Sequence, residues 1–459
     1  MADSNSIQAE PDIIFVMAPS WGVNMPPLGL HYLVAQLRAH GFGSEILDLN
    51  IDLYRRSDDD RRELWSFEKH RYWANTHEFA AIRVLFSEEL DQYAEKLSEH
   101  GSTPIGFSIN AGNRLFTLEL LRRIRSDVRT VIIGGPLCQF DRNGKFLLPD
   151  FLGLVDLAVI GEGEEAICEV VTGLRADGDL RGIPGVAFLS DGAQVVFTPR
   201  RPLEQLDRLP FPQYDRQMVQ NAYTERVLPL LMSRGCKGKC TFCDARFFQA
   251  RYRSRTAQNV FDEILHHVRT TGTTHFTFND LAINWNLKEL ERLCDLIIEE
   301  EDLTIWWNAS ATIRKGMTKR LFEKMRVAGC APGGTESIFG ARGGSLVFGL
   351  ESGSSKVLER MGKYYRVPEA EAVLKRAHQA GIPTWINLIV GFPGEGEHEF
   401  QETIGFLRRN VSNITEIATL SLCYVPQFAE LGLSPERFGI ELPDEEFMLD
   451  WHSGKGSGY

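Results

Sequence analysis

No run in this sequence approaches the ~20 consecutive apolar residues that span a bilayer. Its first residues, Met-Ala-Asp-Ser-Asn-Ser, are polar and acidic, so neither a membrane partner nor export or transit is indicated. Cysteine is sparse, with 8 in 459 residues. Disulfide frameworks belong to small secreted chains with dense cysteine patterns, which excludes that class here. Positive charge is short as well: the formal net charge is −12. That argues against a nucleic-acid partner, because non-specific binding to a phosphate backbone rests on a positive field. What is present, 43% hydrophobic and 24% charged residues, is the balance of a globular chain long enough for two or three cored domains. The simplest expectation is a cytoplasmic protein.

The first third alternates strand and helix signals. Residues 11–18 read as a buried strand, and Leu30, Leu33, Val34 and Leu37 fall at helical spacing before Gly41. Further strands are expected at 44–49, 104–109, 128–134 and 154–160. This alternation predicts an α/β fold with a doubly wound, Rossmann-like parallel sheet over 1–195, whose ligands sit beyond the carboxyl ends of the strands. No G-x-G-x-x-G follows the first strand, so a dinucleotide site is not signalled, and a plain flavodoxin-like domain stays open as an alternative. Residues 52–100, with Trp65, Tyr72 and Trp73, form an aromatic and charged insert expected to be helical, as a lid or a simple helical hairpin.

Residues 196–224 hold Pro199, Pro202, Pro210 and Pro212 among charged side chains, which predicts an extended linker. From 225 to 425 strands are expected at 227–232, 275–279, 304–308, 345–350, 384–390 and 414–424, with helices near 257–270, 287–300, 317–328, 367–380 and 397–410. Six such units predict a partial (β/α)6 barrel, with functional residues at the carboxyl ends of its strands. A short tail, 426–459, follows. Residues 331–344, Gly-rich, read as an insertion before the fourth strand.

The most specific motif lies at the end of the first of these strands. Met232-Ser-Arg-Gly-Cys-Lys-Gly-Lys-Cys-Thr-Phe-Cys243 places Cys236, Cys240 and Cys243 on one short loop. Thiolates hold iron–sulfur clusters, and three on such a loop can bind one face of a cubane while leaving the fourth iron without a protein ligand. Zinc would want a fourth Cys or His at comparable spacing, whereas His266 and His267 lie more than twenty residues on. The other cysteines, Cys138, Cys168, Cys294, Cys330 and Cys423, read as packing thiols. Arg246, Arg251, Arg253 and Arg255 follow the loop as a basic patch, either a solvated face or a seat for an anionic ligand.

The C-x3-C-x2-C spacing, with Phe242 before the last cysteine, resembles the signature of the radical S-adenosylmethionine (SAM) superfamily. The resemblance implies a [4Fe-4S] cluster on Cys236, Cys240 and Cys243 whose free iron chelates SAM, and cleavage of SAM to a 5'-deoxyadenosyl radical by an electron from a donor such as flavodoxin or ferredoxin. Further strand ends resemble the family's SAM contacts. These are Phe276-Thr-Phe-Asn-Asp280, giving Phe278 and an Asp280 carboxylate suited to an ammonium; Gly349-Leu-Glu-Ser-Gly-Ser354, giving Glu351 and Ser352; and Asn387-Leu-Ile-Val-Gly-Phe-Pro-Gly394, giving Asn387 and Gly391. Phe242 joins this set.

Residues 11–190 resemble the cobalamin-binding domain of the B12-dependent members of that family. The matching segments are Pro27-Leu-Gly-Leu30, Ile105-Gly-Phe-Ser108, Ile133-Gly-Gly-Pro136 and Val159-Ile-Gly-Glu-Gly-Glu164. By that resemblance Asn24, Met25, Ser108, Gly134, Gly135, Gly161 and Glu162 would contact cobalamin, with the two adjacent glycines letting backbone approach a bulky ring. Pro26 occupies the register where some cobalamin domains carry a cobalt-ligating histidine, so no histidine is expected below the cobalt, and His31 reads as a surface or packing residue. Together the halves imply methylation of an unactivated carbon or phosphorus in a small metabolite. A non-methylating radical rearrangement or cyclisation, and a non-enzymatic cobalamin-binding sensor, are the alternatives.

Overall fold

The computed structural model describes residues 10–124, 129–141, 144–188, 195–248, 251–330 and 346–442. The 331–344 insertion and the end of the tail lie outside the described residues. Among those described, no helix is long and apolar enough to cross a membrane.

The first sheet comprises β1 (Ile13–Met17), β2 (Ser44–Asp48), β3 (Ile105–Ser108), β4 (Val131–Gly134), β5 (Leu157–Val159), β6 (Val186–Phe188) and β7 (Val196–Phe197), in the order β2-β1-β3-β4-β5-β6-β7. The first five run parallel, but β6 and β7 are antiparallel. The five strands expected from the sequence are thus parallel as read, and β6 and β7 extend the sheet antiparallel beyond them. Every residue of β1 is buried because both faces are covered. Ile13, Phe15 and Met17 pack under the helices Leu28–Ala39 and Glu164–Arg175, while Ile14 and Val16 pack under the helix Arg114–Ile124 and the insert. The insert is helical as read, but it is a layer of the fold rather than a lid or a free hairpin. Its Phe86, Leu90 and Leu97 are fully buried, and Trp73 donates its indole N–H to the Leu64 carbonyl at 2.7 Å.

The linker is extended only in part. Val196–Phe197 joins the first sheet, and Asp215 caps a helix at Arg216–Asn221 by accepting the Met218 amide at 2.8 Å.

Next comes β8 (Val227–Leu230), followed by a short antiparallel hairpin of β9 (Ser233–Arg234) and β10 (Arg253–Ser254). The second sheet then gathers β8, β11 (His275–Phe278), β12 (Trp306–Ala311), β13 (Leu346–Glu351), β14 (Thr384–Val390) and β15 (Glu416–Leu422) in that order, with every pair parallel. Helices cover its outer face. Ala257–Thr271 begins on the Thr256 hydroxyl and ends at Gly272, left-handed at φ +74°; Leu287–Glu299 begins on Asn286. This is the expected partial (β/α)6 barrel. The five cysteines read as packing thiols are all buried.

Candidate active site

Strand β8 is wholly apolar and buried, so it fixes the position of whatever follows it. The chain leaves it through Met232 and Ser233, whose amide and hydroxyl donate to the two oxygens of the Asp280 carboxylate, the amide at 2.9 Å. Burial pushes the Asp280 carboxyl up to about 6 against those bonds. Gly235 then turns at φ +80° and the thiol loop begins.

Cys236, Cys240 and Cys243 are half-buried. A Cβ on Gly238 would stand 3.3 Å from the Cys236 sulfur, 3.8 Å from the Cys240 sulfur and 3.7 Å from the Trp285 ring. Two sulfurs and an indole thus converge on a position that carries no side chain. The loop is held from behind: the Thr241 amide donates to the Met361 carbonyl and its carbonyl accepts from the Leu431 amide, each at 2.9 Å. Gly362, at φ +71°, is required there, since a Cβ would come within 2.7 Å of the Lys239 carbonyl. The described part of the tail therefore backs the thiol loop, and Phe428 stacks on Phe247 at 4.1 Å. Burial pushes the Cys243 thiol up to about 11 and also raises Cys240, against the pull of Lys363. As free thiols they stay protonated; a coordinated metal supplies the charge that makes them thiolates. Among the described residues no three His, Cys, Asp or Glu side chains close on one ion position. A cubane asks less of its ligands, because each thiolate bonds a separate iron.

The other strand ends open beside this loop. Glu351, at the end of β13, is held at φ +68° and accepts Lys363 Nζ at 3.0 Å. Lys363 Nζ also donates to the Gly349 carbonyl and lies 5.4 Å from the Phe242 ring. Burial opposes the lysine's charge, but Glu351 more than restores it, so its pKa stands above the ordinary value. On β14, Asn387 Oδ1 is buried with no partner. Gly391, at φ +75°, faces open space. Trp285 Nε1 is also buried without a partner, and its ring lies 5.1 Å from Tyr364, which is 45% exposed and bonded to the Thr312 hydroxyl.

In the first sheet, Ser108 and Gly134 end β3 and β4, Gly135 follows β4, Gly161 and Glu162 follow β5, and Asn24 and Met25 lie on the loop after β1, all toward the carboxyl edge. Gly161, at φ +81°, faces open space, and a Cβ on Gly134 would make only ordinary contact at 3.7 Å.

Residues 230–407 match the Radical SAM superfamily. The chain carries a radical SAM domain. Among curated proteins it is 28% identical over 285 residues to an uncharacterized methyltransferase of Pyrococcus horikoshii, covering 61% of this chain and 58% of that one. It is 24% identical over 428 residues to the cytidylyl-2-hydroxyethylphosphonate methyltransferase of Streptomyces wedmorensis, covering 83% and 72%. The chain thus spans little more than half the length of the first of these. The fold is similar to that of the radical S-adenosylmethionine methyltransferase TsrM from Kitasatospora setae, solved with cobalamin and a [4Fe-4S] cluster, with TM-score 0.66, 17% identity, and coverage of 94% of this chain and 76% of that one. That likeness extends over both sheets, not the radical SAM domain alone.

Several expected side chains have other work. Asp280, read as a receiver for an ammonium, already holds the exit of β8. Phe278 is 2% exposed and packs edge-on against Trp307, so only its backbone remains for a ligand. The Ser352 hydroxyl bonds Thr403, in the helix Glu397–Asn410, and accepts the Ser354 amide. Gly135 answers to its own chain: at φ +99°, a Cβ would lie 2.7 Å from the Ile109 carbonyl. Glu162 accepts Arg253 through both oxygens. The basic patch is neither solvated nor open to an anion at Arg253 and Arg255, which are buried in ion pairs with Glu162 and Glu263; Arg251 pairs with Glu204 at the surface. His31 packs on Tyr214 with Nδ1 3.0 Å from the Gln213 carbonyl, and burial pushes its pKa down to about 4. Lys363, Trp285 and Tyr364 were missed. Their only signal in the sequence is polar or aromatic side chains in loops that the strand and helix periods leave unexplained.

Proposed function

We propose that this chain is a cobalamin-dependent radical SAM enzyme that methylates an unactivated carbon or phosphorus of a small molecule. The observation that carries the reading is the convergence of the Cys236 and Cys240 sulfurs over Gly238 on a loop that β8, Asp280 and Met361 hold rigid. With Cys243 they suit a [4Fe-4S] cluster. Asn387 Oδ1, buried and unpartnered, suits a polar group of SAM, because an orphaned buried acceptor costs ~1–3 kcal/mol until it is met. Gly161, with nothing within 4 Å of where a Cβ would stand, leaves room at the carboxyl edge of the first sheet for a bulky ring such as a corrin.

When bound, the cluster supplies the electron that cleaves the sulfonium of SAM and the corrinoid carries the methyl group; the protein supplies geometry. Lys363 fixes Glu351 at the mouth through its bond at 3.0 Å, and Trp285, packed on Tyr364, walls the position that the Cys236 and Cys240 sulfurs share. The electron would come from a donor protein such as flavodoxin or ferredoxin. Anaerobic reconstitution with iron, sulfide, hydroxocobalamin, reductant and SAM tests the reading. S-adenosylhomocysteine together with 5'-deoxyadenosine supports methyl transfer. 5'-Deoxyadenosine alone points to a rearrangement or cyclisation, and no cluster absorbance with no SAM cleavage defeats the enzyme.

A further inference from the structure

The thiol loop is the connection of a hairpin, and the hairpin is gripped from the other domain. Arg234 and Arg253 face each other across β9 and β10. Arg253 donates to both oxygens of Glu162, at 2.8 and 2.7 Å, and to the Leu203 carbonyl at 2.6 Å. Arg234 donates to Glu164 at 2.5 Å and lies 3.4 Å from Glu162. The Leu203 amide, from the linker, closes on Glu162 at 2.8 Å. Side-chain exposures are 5% for Arg253, 16% for Arg234, 21% for Glu162 and 8% for Glu164. Burial works against the charge of Glu162, yet the two guanidiniums hold its carboxyl below the ordinary value. A bidentate arginine–carboxylate pair fixes orientation as well as distance, and here two guanidiniums share two carboxylates on one turn.

That turn, Gly161–Glu164, leaves β5 at the edge where a sheet of this kind binds its ligand. We infer that Glu162 and Glu164 are positioning residues: they clamp the base of the cysteine hairpin to the ligand edge of the first sheet and so set the separation between the two cofactor sites. The inference rests on the proposed function for its chemical meaning and on the ion pairs alone for its mechanics. A methyl group passing from SAM in the barrel to a corrinoid on the first sheet must cross the gap this clamp defines, whereas cleavage of SAM needs the barrel only.

The test uses the full-length protein with the substitutions Arg253→Gln, Arg253→Lys and Glu164→Gln. Hydrogen–deuterium exchange of amides in 233–255 is expected to speed up at least about tenfold in Arg253→Gln, with β11 to β14 unchanged, because the hairpin opens locally without its anchor. Arg253→Lys, which keeps charge but not the fork, should fall between. In the reconstituted enzyme with hydroxocobalamin, S-adenosylhomocysteine release should drop by roughly tenfold to a hundredfold, the scale of a ~1 Å misplacement, while 5'-deoxyadenosine release and iron content hold. Glu164→Gln supplies the same readings if Arg253→Gln does not fold. Unchanged exchange overturns the clamp, and so does an unchanged product ratio with accelerated exchange. If the unsubstituted protein releases no S-adenosylhomocysteine, the proposed function fails while the exchange experiment still decides the clamp.

Discussion

The carboxyl edges of the two sheets use similar residues to opposite ends. In the barrel, Gly238 clears a space into which two sulfurs and an indole point, and Asn387 Oδ1 and Trp285 Nε1 are left without partners. In the first sheet, the glycine with the tightest surroundings, Gly135, answers to the Ile109 backbone, and the acidic pair Glu162 and Glu164 answers to arginines of the other domain. A Gly-rich or acidic motif at a strand end therefore marks a conformational or electrostatic requirement first. Whether a ligand is that requirement depends on which groups the protein leaves unmatched.

The largest effect that would break the contrast is at the thiols. Replacing Cys236, Cys240 or Cys243 singly by Ala is expected to abolish both cluster absorbance and 5'-deoxyadenosine formation, measured after anaerobic reconstitution, while hydroxocobalamin binding by the first sheet persists. Loss of corrinoid binding together with the cluster would mean that the two edges are one site.

Much of the architecture could be read from the chain because each element is punctuated locally. The strand 384–390 and the helix 397–410 fall where expected to the residue, set off by Gly381 and Pro383 before the strand and by the Gly391–Gly396 turn between them. The cysteine loop was legible because three thiols within eight positions have few physical uses. What could not be read depends on partners far apart in sequence. Glu162 meets Arg253 across 91 positions, Ser352 meets Thr403 across 51, and Asp280 meets Ser233 across 47; no local period encodes such pairs. β6 and β7, of three and two residues, also escaped.

Within the first sheet the contrast sharpens at two glycines. Gly135→Ala forces a Cβ against the Ile109 backbone from a left-handed φ and is expected to cost at least ~2 kcal/mol of stability in denaturant melts. Gly161→Ala carries only the strain of its φ, about 1 kcal/mol, since nothing lies within 4 Å. Its larger effect should be on hydroxocobalamin affinity. If Gly135→Ala weakens the corrinoid without lowering stability, the two roles are reversed.

An effect confined to one pH window concerns Asp48, at the end of β2. It caps the helix Leu49–Arg56 through the Ile51 amide and accepts the Tyr223 hydroxyl at 2.7 Å, tying the first sheet to the segment that leads into β8. Burial pushes its carboxyl up to about 6, from an ordinary 3.8, against the help of those two donors. The folded chain therefore holds a proton that the unfolded chain has already released between about pH 4 and pH 6. This group's contribution to stability is full below pH 4 and is lost as pH rises through 6, by an amount on the order of 2–3 kcal/mol. Asp48→Asn keeps the cap and cannot ionise, so the stability difference between it and the unsubstituted protein should move in favour of the variant across that window in urea melts. A difference that stays flat with pH would mean that water or a neighbouring charge stabilises the ionised form, and that the joint between the two sheets is not buried at this point.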